Sequence, residues 1–220
     1  MPRLRDPSYQ AETLGDVAMA YYFSGQPGRA VPLYRRNIEI RGREQNRTPL
    51  AIGLANLSDA LRATGWLRES EAAARWVLSI AREVEDAFCE GISLNALGLS
   101  LAARGDIIES SIALERALRL DTAHGQTEVQ GFDLFCLGQR ALWLADADTA
   151  REFANRAWEL ARSNEGDFIR AARLEGVAAL PLGEQTTADD RLSHALTRAR
   201  AVNLVEEELP ALTALAELRR

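Results

Sequence analysis

The sequence predicts an all-α solenoid of stacked helix pairs, and three observations carry that reading. A skeleton of small and apolar residues recurs about every 40 residues. Inside each unit the apolar positions fall three and four residues apart, the helical period. No stretch alternates with period two for long enough to suggest a strand.

The skeleton is anchored by Ala18, Ser58, Gly98, Gly138, Gly176 and Ala216, at spacings of 40, 40, 40, 38 and 40. Seven residues after the anchor come Gly25, Gly65, Gly105, Ala145 and Gly183, five further on Ala30, Ser70, Ser110, Ala150 and Ala188, and seven beyond those Asn37, Val77, Ala117, Ala157 and Ala195. These columns divide the chain into a leader (1–10), repeats over 11–47, 48–87, 88–127, 128–166 and 167–205, and a half repeat over 206–220. The third repeat shows the logic of a unit. Leu94, Leu97 and Leu101 stripe its first helix, Gly105 stops that helix, and Asp106 and Glu109 open the second, whose stripe is Ile112, Leu114, Ala117 and Leu118. The half repeat is a helix from Glu208 to Arg220 with Leu212, Leu215 and Leu218 on one side. Glu206, Glu207 and Glu208 precede its Pro210. That helix has no evident partner, which points to a truncated array, to a capping helix, or to a surface that docks a second copy in a homodimer.

A lone helix pair cannot bury its apolar stripe, so each pair stacks on the next. Small anchors let neighbouring helices approach to about 8–10 Å. The leucine columns fill the space between, each worth about 1.5–3 kcal/mol when fully buried. Only positions that face a neighbour are constrained, which is why the skeleton repeats while other letters drift.

Composition narrows the function classes. The 220 residues are 47% apolar and 26% charged, a folded rather than a disordered balance. A formal charge of -6 argues against nucleic acid as a partner. All 26 basic residues are arginine, which excludes Schiff-base and phosphate-loop lysines within this chain. No signal-peptide core and no apolar run of about 18 residues is present, so neither export nor a membrane is expected and the location is expected to be cytoplasmic. Cys89 and Cys136 are too few and too staggered for a disulfide framework and are expected as free thiols.

The columns resemble the tetratricopeptide repeat. Leu57, Leu97 and Leu137 stand at its seventh place, the small anchor at the eighth, and Tyr21, Leu61 and Leu101 at the eleventh. The small residues from Ala30 to Ala188 fill the twentieth place and those from Val77 to Ala195 the twenty-seventh, where Asn37 departs. The period is near 40 rather than the usual 34, as in the longer variant of kinesin light chains and bacterial regulators. The resemblance implies a right-handed superhelix of five helix-turn-helix repeats plus a terminal helix, a scaffold that binds protein or peptide ligands without catalysis or cofactor. "DFIRAARLEGVAALPLG" and "LSHALTRARAVNLVEEELPALTALAELRR" resemble the sensor arms of bacterial STAND-type (NACHT or NB-ARC) ATPases, implying a ligand-sensing role in signalling. The alternative is an assembly scaffold that self-associates through its edges or terminal helix.

In such arrays the first helix of each unit lines a concave groove. The groove places here hold Tyr22, Asn56, Asp59, Arg62, Asn95, Phe135, Gln139, Trp143 and Arg173. Asn56 and Asn95 can pair with an extended peptide backbone or with neighbouring helices. Phe135 and Trp143 can hold an apolar side chain or pack internally. Arg62 and Arg173 can clamp a carboxylate or phosphate, or form surface ion pairs. Of the chaperone-tail clamp only Asn56 matches, since Gly15, Met19, Ile92 and Ala96 occupy the other places. His124 and His194 lack partners at metal-ligand spacing. Asp121 and His124 read as helix-end loop residues, His194 as a helix-face residue, and "REVEDAFCE" and "VEEEL" as solvated helix starts, so no catalytic or metal site is expected.

Overall fold

The computed structural model describes residues 6–44, 47–161 and 164–220, and among them there are eleven α-helices and no strand. They pair as α1 (Pro7–Phe23) with α2 (Pro27–Arg41), α3 (Thr48–Ala63) with α4 (Leu67–Glu83), and α5 (Ala87–Arg104) with α6 (Ile107–Ala123). Then come α7 (Thr127–Trp143) with α8 (Ala147–Leu160), α9 (Glu165–Ala179) with α10 (Gln185–Ala201), and α11 (Val205–Leu218). The helix starts are capped where the sequence offers a carboxylate or carboxamide. Asp6, Asp86, Asp146 and Asn164 accept from the backbone N–H of Ser8, Cys89, Thr149 and Asp167 at 2.8–3.2 Å.

Two boundaries differ from the sequence reading. Residues 7–10, placed in the leader, form the first turn of α1, because Asp6 caps it and Pro7 suits a first helical position. Residues 1–5 of that leader lie outside the described residues. The last helix starts at Val205 rather than Glu208, which puts Pro210 inside it.

The column that runs from Gly25 to Gly183 is a backbone requirement. Gly25, Gly65, Gly105, Ala145 and Gly183 all have positive φ, from 58° at Ala145 to 90° at Gly105. Each lets the next N–H reach back to a carbonyl five residues earlier, as Gln26 does to Tyr21 and Asp106 to Leu101, both at 2.9 Å. Ala145 holds the same geometry against its Cβ, at about 1–2 kcal/mol. A second left-handed column closes the second helices at Glu85, Gly125 and Asn203. Three unlike residues fill it, so the sequence pattern did not show it.

The chain divides into two compact units, up to Ala117 and from Leu118 to Arg220, with the boundary inside α6. In the first unit α3 packs on α5, and Tyr34, Leu50, Leu54, Leu61, Val77 and Ile80 form the core, each at most 2% exposed. In the second α7 packs on α9 and α9 on α11, with separate apolar clusters around Leu134, Ile169 and Leu192. The terminal helix therefore has partners after all: Ala214, Leu215 and Leu218 pack with Leu192, Leu196 and Val177. Arg219 adds an ion pair to Asp189 at 2.8 Å.

Each glycine anchor is matched to a filler. A Cβ built on Gly98 would lie 2.5 Å from the Leu114 side chain, and one on Gly176 would lie 2.7 Å from Leu192. In the fourth repeat the filler's place holds Ala154, and Leu174 with Phe153 occupies the notch at Gly138 instead. In the second, Ser58 faces Ser70: each hydroxyl bonds the other's carbonyl at 2.7–2.9 Å, and Ser100 joins Ser70 at 2.6 Å. Asn37, the departure from a small column, is buried with its amide donating to the Ala11 carbonyl at 2.6 Å. Glycines make room for it. A Cβ on Gly15 would meet its Nδ2 at 3.3 Å, and one on Gly53 its Oδ1 at 2.5 Å.

Candidate functional site

The nine groove candidates all lie on first helices, five in the first unit and four in the second. In the first unit Tyr22 on α1 is half-buried against the core and edge-on to Phe23, with ring centroids 5.7 Å apart. On α3, Asn56, Asp59 and Arg62 are half-buried along successive turns, and the Asp59–Arg62 approach is a loose 3.5 Å. Asn95 on α5 is different, being 2% exposed. Its carboxamide serves the interior of the array.

In the second unit the exposed candidates are Gln139, half-buried, and Trp143, 44% exposed at the end of α7. Phe135 and Arg173 are buried and belong to a layered cluster across α7, α9 and α11. Phe132 and Phe135 stack at 5.9 Å on α7. The guanidinium groups of Arg170 and Arg173 on α9 lie over them, 5.3 and 5.4 Å from the ring centroids. Glu207 on α11 accepts from Arg173 at 2.6 Å and approaches Arg170 at 3.3 Å. Arg170 also pairs with Asp167 at 3.0 Å and Glu206 at 3.1 Å. Arg173 is thus a buried ion-pair partner, neither the surface pair nor the ligand clamp expected of it. The three carboxylates hold the Arg170 guanidinium firmly protonated against the cost of its burial, while burial pushes the Asp167 carboxyl upward.

Sequence reasoning missed Phe132, Asp167, Arg170, Glu206 and Glu207. The available signal was the run of three glutamates, set 33 to 38 residues after the arginines of α9. It was read as a solvated helix start, but Glu207 is 5% exposed because α11 begins earlier and turns it toward α9.

Two further readings change and one holds. Glu90, in the other acidic stretch, is half-buried and bridges Arg82 and Arg116. His194 is, as expected, an exposed helix-face residue on α10, with the Phe168 ring at 5.5 Å and the Trp158 ring at 6.0 Å. Asp121 is buried inside α6 and shares a hydrogen bond with the buried Asp133 carboxyl. Two carboxylates cannot bond unless one keeps its proton. Burial raises the Asp121 carboxyl above its ordinary 3.8, against the opposing pull of Asp133 and His124.

A raised carboxyl binds its proton more tightly in the folded chain than in the unfolded one. Its ionisation therefore costs stability above the raised value, and the cost fades as pH falls through that value toward 3.8. Asp121→Asn, which keeps a donor toward Asp133, is expected to raise the melting temperature at pH 7. The gain closes under acid conditions. A variant less stable than the parent at pH 7 contradicts this account.

Cys89 and Cys136 are buried free thiols. Burial and the adjacent Asp86 push the Cys89 thiol up to about 12, which keeps it protonated and unreactive at neutral pH. Among the described residues no three His, Cys, Asp or Glu side chains gather in metal-binding geometry, and no helix is long and apolar enough to cross a membrane.

No family model matches the chain, and neither does any curated protein. Solved structures do match. The chain is similar to a putative kinesin light chain with TPR-like repeats from Podosopora anserina, 17% identical with a TM-score of 0.60 over 90% of this chain and 99% of that one. It is similar to the apo form of RapI, 13% identical with a TM-score of 0.72 over 99% and 87%. It is also similar to a Rap protein solved in complex with competence and sporulation factor, 15% identical with a TM-score of 0.68 over 98% and 65%. With its helix pairs, glycine-closed turns and notched anchors, this chain has the fold of the TPR-like helical repeat proteins.

Proposed function

We propose that the chain is a non-catalytic binding module for a protein or peptide ligand, working as the sensing region of a bacterial signalling protein in the cytoplasm. The observation that carries the reading is a division of labour along the first helices. Asn95, Phe135 and Arg173 are spent on the fold, whereas Asn56, Asp59, Arg62, Gln139 and Trp143 keep accessible polar or aromatic surface. Carboxamides there can pair with a backbone whatever its side chains, and an exposed tryptophan supplies apolar area with a single donor. The Rap protein solved with competence and sporulation factor supports the same role by fold likeness.

The test compares the parent with Asn56→Ala/Asp59→Ala and Gln139→Ala/Trp143→Ala as affinity baits in the source cells. Both pairs are expected to lose the specific partner by ten-fold or more while melting within about 2 °C of the parent, as surface changes do. Equal recovery by all three baits ends the groove reading. A second reading, self-association through α11, rests on Leu209, which is 54% exposed although the opposite side of the helix is packed. It predicts a mass that rises with concentration and falls to the monomer in Leu209→Asp.

A further inference from the structure

The 40-residue period supplies an internal comparison for one seam of the array. In the first unit Glu90 on α5 bridges Arg82 on α4 at 3.1 Å and Arg116 on α6 at 2.7 Å, so a charged strut crosses between the two second helices. Forty residues later the same three places hold Gln130, Thr122 and Arg156. Thr122 is far too short to span the seam. Gln130 is neutral, and its amide nitrogen turns to the Asp121 carbonyl at 3.4 Å. Arg156 keeps only the face of Phe153, 5.7 Å from the ring centroid, with no carboxylate in ion-pair reach among the described residues.

Where the strut lies in the first unit, the second has an open cleft of about 580 Å3 between α6, α7 and α8. Its apolar lining is Leu118, Leu134 and Leu160, of which Leu134 is 1% exposed and Leu160 39%. Arg119 and Arg156 line it with Glu159, a positive balance. The second unit thus keeps the arginine of the strut beside an apolar floor, without the strut's glutamate and second arginine.

We infer that this cleft is a binding site for a small apolar carboxylic acid, with its chain on the three leucines and its carboxylate on Arg156. The volume falls in the range of small-ligand sites and suits a chain of roughly eight to twelve carbons. A guanidinium can take a carboxylate through two parallel N–H bonds, and the loss of the Glu90-type partner leaves it available to do so. None of Asn56, Asp59, Gln139 and Trp143 lines the cleft, so loss of the groove variants' partner neither supports nor removes it.

Calorimetric titration of the full chain with octanoate tests the inference, with octylammonium and 1-octanol as matched probes. Octanoate is expected to bind saturably at one site, and both other probes at least ten-fold more weakly. Arg156→Gln is expected to weaken octanoate at least ten-fold. Thr122→Arg/Gln130→Glu, which rebuilds the strut, is expected to abolish binding while melting no lower than the parent. Amide shifts caused by octanoate should be confined to α6, α7 and α8. Three results each overturn the inference: no saturable heat, octylammonium binding as well as octanoate, or undiminished binding by the rebuilt variant.

Discussion

Glu207→Ala is expected to destabilise the chain by about 3–5 kcal/mol, the largest effect of any single change to a polar residue here. The carboxylate accepts from Arg173 at 2.6 Å and faces Arg170 at 3.3 Å, and the side chains of Arg173 and Glu207 are only 10% and 7% exposed. Removing it strands the Arg173 guanidinium over the Phe135 ring with its main counter-charge gone. A buried charge without its partner costs far more than the pair contributes when intact. Arg170 suffers less, because Asp167 and Glu206 stay within 3.1 Å. Glu206→Ala should therefore cost about 1 kcal/mol, near the ordinary worth of a half-buried pair. The decisive comparison is Arg173→Met/Glu207→Leu, which removes both charges and is expected to recover most of the loss. Urea melts of the four proteins separate the outcomes. A Glu207→Ala midpoint equal to the parent's means that the cluster is solvated, and no recovery in the double variant means that packing, not charge, holds α11 to α9.

The same cluster shows what could and could not be read from letters. The period, the helix pairs and the glycine turns were legible because each is a constraint of a residue on its own backbone or on a neighbour at fixed spacing. Gly105 must adopt positive φ wherever the rest of the chain goes. Burial of a groove position is another matter, since it depends on how closely the next first helix approaches. Asn95, Phe135 and Arg173 share one column, three residues before the anchor, which is buried from Ala55 to Arg173, and their polar or aromatic side chains disguised it as a groove place. Asp121 was hidden for a related reason. Its own neighbours read as a loop, but α6 continues to Ala123 and carries the carboxyl inward to Asp133. Asn37 needed two glycines on two other helices before it made sense. The arginine without a carboxylate among the described residues of the α6–α8 cleft was in principle legible, because the 40-residue register sets Gln130 against Glu90. Nothing in the sequence marked Glu90 as a strut until its two arginines were placed.

The notch-and-filler rule makes the other large prediction. Leu114 is fully buried, and it occupies the space that a side chain on Gly98 would need. Leu114→Ala is expected to cost about 2–5 kcal/mol, through lost burial and the void left between α5 and α6. Gly98→Ala is expected to cost about 1–3 kcal/mol for the opposite reason, since its methyl group would press on a leucine with no open side. Gly98→Leu should exceed it. If the two positions share one space, their errors cancel in part. Gly98→Ala/Leu114→Ala should then be more stable than the sum of the single losses by at least 1 kcal/mol, a coupling expected of residues in contact and not of distant ones. The fourth repeat already carries a related exchange: Ala154 stands at the filler's place and Leu174, from the next first helix, closes the notch at Gly138. Strict additivity in denaturant melts would mean that the anchors are small for some reason other than close approach. The drift of fillers between repeats would then lose its explanation.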